Sequence, residues 1–235
     1  MKIDNVELHQ FIKGKGITHF YHANSVPTAI TYLNARGLLS RGYVTNKGLF
    51  QTAQKSDRED KEFDVWFDVF IDTADLHGLF PRQNLYGPVV FKFNIDFLLD
   101  SDLDIWITKN NPMYWSYNMN SKDKYFCDVS ELAQLWDEIE RQKIMFTIRK
   151  PNEAILFESL EEIIVDDPEM DIQDNITLHS ESNRALLKAT EDAPKLVKKI
   201  NIRRCGYCFC KENYSRMSEK DLAKLFLPKE HEYFS

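Results

Sequence analysis

Ile17-Thr18-His19-Phe20-Tyr21-His22-Ala23-Asn24-Ser25-Val26-Pro27 is the stretch whose reading decides the fold. Its opening residues are β-branched and aromatic, the composition of a strand. Asn24-Ser25 then supplies a helix cap and Pro27 is tolerated in a first helical turn, so a strand leads straight into a helix. Within that helix Val26, Ala29, Ile30 and Leu33 recur at helical spacing and make one buried face. Gly37 stands where a left-handed residue is wanted to end it, and Leu38-Leu39 turns the chain back to the core.

Working outward, Gly42 to Glu62 is polar and reads as a long loop or irregular lid. Val65–Ile71 predicts a strand, and Tyr86-Gly87-Pro88 opens another over Val89–Phe93. Shorter strands are expected at Trp106–Thr108, Ile144–Ile148, Ala154–Phe157 and Ile163–Val165. Asp128 or Ser130 caps a helix with a Leu132, Leu135, Trp136, Ile139 stripe, and Glu131 is placed for a capping box. Many short strands with two clear helices define an α+β class. Residues 1–168 are expected to form a catalytic domain, and residues 169–235 a basic, helix-leaning extension.

The order of segments resembles an ADP-ribosyltransferase domain: Phe20-Tyr21-His22, the helix ending in Gly37-Leu38-Leu39-Ser40, the strands Val69-Phe70-Ile71 and Gly87-Pro88-Val89-Val90-Phe91, and Asn152-Glu153-Ala154-Ile155-Leu156-Phe157. More closely, His22 to Pro27 together with Gly37 to Arg41 looks like the opening of the DarT toxins, which ADP-ribosylate bases of nucleic acid. The resemblance implies a split core of twisted antiparallel sheets around an NAD cleft. It also implies that His22 bonds a ribose hydroxyl, that the Ala23 backbone holds the nicotinamide carboxamide, and that Glu153 is catalytic. Asn24, Ser40 and Arg41 join the donor site, Phe70 or Tyr86 offers the nicotinamide a stacking surface, and Arg58 is a candidate for a donor phosphate and for aiding catalysis. The expected function is transfer of ADP-ribose from NAD to a base of DNA or RNA, as a toxin in phage defence with a neutralising antitoxin.

A carboxylate suits that chemistry, because breaking the bond from nicotinamide to ribose builds positive charge on the sugar. Arg149 and Lys150, just upstream of Glu153, are candidates for acceptor phosphates. Arg82 and Asn84 are residue types that read base edges, and Asn111 to Trp115 offers rings for base stacking. Arg203 and Arg204 lie in residues 184–216, where nine Lys/Arg face three acids although the whole chain carries −7. That basic stretch supports a rival reading as a non-catalytic nucleic-acid-binding module.

A second rival is a metal-dependent nuclease or hydrolase centred on Asp68, Asp72, Asp75 and His77. The lead reading needs no metal. Cys205, Cys208 and Cys210 have spacing that zinc favours but lack a fourth ligand nearby, which makes zinc the lesser option beside reduced thiols. Four cysteines, no long apolar run and no signal-peptide layout point to the cytoplasm and away from a membrane.

Overall fold

β1 (His19–Asn24) lies inside a seven-stranded sheet with β3 (Val69–Asp72), β4 (Val89–Asn94), β5 (Ile105–Trp106), β6 (Met145–Ile148), β8 (Leu160–Asp167) and β11 (Ile200–Arg204). The computed structural model describes residues 2–79, 86–100, 102–139, 145–173, 175–206 and 208–234. The strand order is β11-β8-β4-β1-β3-β6-β5, antiparallel throughout except for the parallel β11–β8 pair. Gly37–Leu38 (β2) and Ile155–Leu156 (β7) form a separate antiparallel ladder, as do Asp171–Ile172 (β9) and Ile176–Thr177 (β10). The α+β class is as expected. In place of a pair of antiparallel sheets there is one mixed sheet with two small ladders beside it.

Aromatic side chains fill the core, as the composition implied. Phe20, Phe91, Phe93 and Phe146 are fully buried, with Phe20 and Phe146 5.4 Å apart and Phe91 stacked on Phe157 at 5.4 Å. Each such ring contributes about 1.5–3 kcal/mol through burial. The helix Val26–Ala35 is capped by the Ser25 side chain and buries Val26, Ala29, Tyr32 and Leu33 against the sheet. Arg36, not Gly37, takes the left-handed conformation that ends it, with φ 57°.

Gly37 is needed for a different reason. A Cβ built there would stand 2.5 Å from the Ile155 carbonyl oxygen across the β2–β7 ladder. The polar stretch after Ser40 is also more ordered than a loop, holding the helices Arg41–Asn46 and Asp57–Glu62. An N-terminal helix, Asn5–Gly14, is capped by Asp4 and buries Leu8 and Ile12.

The C-terminal residues are not an appendage, so position 168 marks no break in packing. β11 extends the main sheet beside β8, and Leu186 of the helix Leu178–Ala189 belongs to the main core. A smaller core gathers Ile172, Leu178, Tyr214, Leu222 and Phe226. No helix among the described residues is long and apolar enough to cross a membrane.

Gly37→Ala is expected to destabilise the protein by about 1–3 kcal/mol, because the added methyl forces β2 from β7. Thermal denaturation checks this, with Gly48→Ala, which meets nothing within 4 Å but is strained by its φ of 63°, as a comparison for the backbone contribution alone.

Candidate active site

β3 touches β1 in register only at Tyr21↔Asp72, whereas β4 accompanies β1 from His19 to Asn24. The sheet therefore opens between β1 and β3 beyond Tyr21, and one edge of β1 at Ala23 is left outside the β3 ladder. His22 spans this opening. Its Nδ1 lies 2.7 Å from the Phe70 carbonyl oxygen, which can only accept, so the proton is on Nδ1 and Nε2 is an acceptor. The Asn24 amide approaches Nε2 at 3.3 Å and the Tyr32 hydroxyl at 3.4 Å. Burial pushes the His22 imidazole down from its ordinary value, against the opposing bond to Phe70, and keeps the ring neutral.

The start of the following helix is tied to a segment that sequence reasoning assigned no role. Ser25 Oγ is 2.6 Å from Thr52 Oγ1, and the Thr52 amide donates to Thr28 Oγ1 at 2.9 Å. Arg41 donates to the Thr52 carbonyl at 3.1 Å and pairs with Asp57 at 2.7 Å, its guanidinium lying over the Trp66 ring. Arg41 Nε is buried with no acceptor among the described residues, a donor left over for another oxygen. Ser40 caps the helix that Arg41 begins and accepts from the Tyr43 amide. Nothing in the sequence around Thr52 or Asp57 signals these contacts, which join positions far apart in the chain.

Glu153 is exposed in the bend before β7. Because β7 runs antiparallel to β2 with Ile155 opposite Leu38, the chain leading back to Glu153 runs beside the chain leading forward to Ser40. Its carboxylate has no hydrogen-bond or ion-pair partner among the described residues. The ladder thus brings Glu153 to the Ser40–Arg41 side, and Arg41 is in turn linked through Thr52 to Ser25, three residues after His22.

Tyr86 is largely exposed and precedes Gly87, where a Cβ would collide with the Asn24–Ser25 backbone; φ of 121° there also suits glycine. That close approach puts Tyr86 at the corner after β1. Phe70 contributes its carbonyl to His22, while its ring packs with Val65, Trp115 and Tyr125. Trp115 is buried there too, so the stacking surface expected from Asn111 to Trp115 reduces to the exposed Tyr114.

The other expected residues are placed as follows. Arg58 has an exposed side chain paired with Glu59 and Glu62 of its own helix, and is not drawn into this network; Arg41 is the arginine that is. Arg149 is directed inward, to Asp68 at 2.5 Å and Tyr125 at 3.2 Å, and lies over Trp106. Lys150 pairs with Asp64 at 2.6 Å. Both line a cavity of about 400 Å³ with Asp104, Trp106 and Asn152. Arg203 is held by Asp166, Asp75 and His77, whereas Arg204 is exposed. Arg82 and Asn84 lie outside the described residues.

The acidic set proposed for a metal does not converge. Asp68 is held by Arg149, Asp75 by Arg203 and His77 by Asp166, and among the described residues Asp68, Asp72 and Asp75 join no group of potential ligands. Burial pushes the Asp68 carboxyl up to about 6 against the attraction of Arg149, and Asp72 up to about 8.

The fold is similar to that of solved structures of DarT. The Thermus sp. 2.9 DarT in complex with ADP-ribosylated ssDNA is 14% identical and superposes with a TM-score of 0.50, over 84% of this chain and 96% of that one. Structures of the same protein in complex with NAD+ and with carba-NAD+ are each 16% identical, with TM-scores of 0.47 and 0.46, over 84% of this chain and 97% of theirs. No family model and no curated protein matches the chain. The fold is thus DarT-like, at a sequence distance where fold alone is shared.

Asp72 gives a pH signature. Its raised value means that the unfolded chain ionises first, so its contribution to stability is present below about pH 4 and is lost as the pH rises through about 8. Asp72→Asn is expected to raise the melting temperature by several degrees at pH 8 and hardly at pH 4, as scanning calorimetry at the two pH values would show.

Proposed function

We propose that this protein is an NAD-dependent ADP-ribosyltransferase that modifies a nucleobase of DNA or RNA. The observation that carries this reading is the unpartnered Glu153 carboxylate, delivered by the β2–β7 ladder to the side of Ser40 and Arg41 in a fold shared with DarT. In this reading NAD lies along the opening between β1 and β3. His22 Nε2, on giving up its long contact with the Asn24 amide, accepts a ribose hydroxyl, the edge of β1 at Ala23 meets the nicotinamide carboxamide, and Tyr86 supplies a ring. Arg41 Nε, buried and unpaired, suits a donor phosphate oxygen. Asn24 supports His22 rather than the donor itself.

The bond from the nicotinamide nitrogen to the anomeric carbon breaks with its electrons going to the nicotinamide, which leaves neutral. Positive charge develops on the sugar, and Glu153 both opposes it and grips the 2′-hydroxyl. A nitrogen of the acceptor base attacks the anomeric carbon and loses a proton to Glu153 or to water. The cavity beside Asn152, walled by Trp106 and Lys150, suits an acceptor on the Glu153 side. Support for a nucleic acid acceptor comes from the ADP-ribosylated ssDNA bound by the Thermus protein. An enzyme of this kind damages its own host, so we propose a cytoplasmic toxin with a neutralising antitoxin, deployed against phage.

Incubation with NAD and single-stranded DNA or RNA, without divalent metal, followed by mass spectrometry of the nucleosides, tests this. An ADP-ribosylated nucleoside is the expected product. Glu153→Gln is expected to lower kcat by about a thousandfold or more without changing the melting temperature. Undiminished transfer by the folded variant would end the assignment. His22→Ala is expected to raise the KM for NAD about tenfold, the loss of one good hydrogen bond, and an unchanged KM would remove His22 from the donor site.

A further inference from the structure

The structure brings a histidine beside the cysteine cluster, whose spacing lacks a fourth ligand. The sulfurs of Cys205, Cys208 and Cys210 all lie within 4.8 Å of one another, and none is in a disulfide. A second group, a His77 ring nitrogen, an Asp166 carboxylate oxygen and the Cys210 sulfur, meets the same limit, so Cys210 joins the two. His77 lies 133 positions before Cys210 and comes from the short helix Leu76–Leu79 after β3, which explains why no local spacing announced it. Cys205, Cys210, His77 and Asp166 are buried and Cys208 is half-buried.

We propose that Cys205, Cys208 and Cys210, with His77 as the fourth ligand, hold one structural zinc ion. A Cys₃His set is a standard closed zinc site with sulfur at about 2.3 Å and nitrogen at about 2.0 Å. The three sulfurs already lie within 4.8 Å of one another, and His77, which meets that limit with Cys210, closes on the other two by side-chain rotation. The surroundings fit a ligating histidine. His77 Nδ1 sits 2.7 Å from Asp166 Oδ2, the carboxylate partner that typically orients such a ring and leaves Nε2 to coordinate. Asp166 is itself held by the Tyr214 hydroxyl and by Arg203 Nε, each at 2.7 Å. Arg203 also reaches His77 and Asp75. Buried thiolates gain from this basic neighbour when they carry a metal.

The ion's work is a cross-link. It fastens the C-terminal core of Tyr214, Leu222 and Phe226 to the segment that follows β3, the strand whose Phe70 carbonyl orients His22. The inference stands on these ligands alone and not on the proposed reaction.

Elemental analysis of the full-length protein, purified under reducing conditions without added chelator, is expected to give about one zinc per chain. Cobalt replacement is expected to show tetrahedral d–d bands and thiolate-to-metal charge transfer of three-sulfur intensity. Cys208→Ser, which alters the half-buried ligand, is expected to reduce zinc content at least tenfold and to lower the melting temperature as chelation does. His77→Cys is expected to retain the metal and His77→Ala to lose it. Should the variants not fold, the cobalt spectrum of the unaltered protein still decides. Metal-free protein whose melting temperature ignores added zinc, a disulfide among these cysteines, or full zinc content in Cys208→Ser would overturn the proposal.

Discussion

The hydrogen bond from His22 Nδ1 to the Phe70 carbonyl holds the protein together where its sheet comes apart. β1 and β3 share one register position and then separate, so the backbone no longer defines their spacing beyond Tyr21. A neutral imidazole spans the gap in its place. Because the carbonyl consumes the Nδ1 proton, the acceptor nitrogen is fixed as well as the ring position. The same bond thus preserves an opening and chooses the chemistry presented to it. Asn24, Ser25 and the close approach of Gly87 then fix the turn out of β1.

Part of the charge is paired inside the molecule. Asp68 with Arg149, and Asp166 with Arg203, are buried or half-buried pairs linking segments at least 37 residues apart in sequence. Breaking one partner of such a pair leaves an uncompensated charge, typically a cost of about 3–5 kcal/mol, although the intact pair contributes little net stability. Arg203, within the basic C-terminal stretch, is held in this way, whereas Arg204 beside it is exposed. Lys211 and Arg216 pair with Glu169 and Glu212 at the surface, the latter within one helical turn. Glu153, exposed in the bend before β7, is not drawn into any such pair among the described residues.

The strand-to-helix passage at residues 17–35 was legible because local chemistry decides it: β-prone residues, a Ser cap and apolar spacing all agree. The strands at Val69, Val89, Ile155 and Ile163 were legible in outline for the same reason. β11 was hidden because Ile200-Asn201-Ile202-Arg203-Arg204 reads as a charged surface segment, and its strand form depends on the parallel partner β8. The helix Asn5–Gly14 has two charged residues and a weak apolar pattern, and it was missed. Among candidate site residues, His22 and Glu153 were visible through their flanking strands. Arg41 and Arg58 differ in exposure and pairing, which no spacing encodes. His77 could be recognised beside Cys210 only once the chain was folded.

The central claim is that the opening between β1 and β3, faced by His22 and closed by the Glu153 ladder, is a nucleotide site. A crystal structure with a hydrolysis-resistant NAD analogue tests it most directly. The account predicts the nicotinamide ribose between His22 and Glu153, with a ribose hydroxyl on His22 Nε2 and a phosphate oxygen within reach of Arg41. An analogue bound elsewhere, with the His22–Phe70 opening empty, would contradict it.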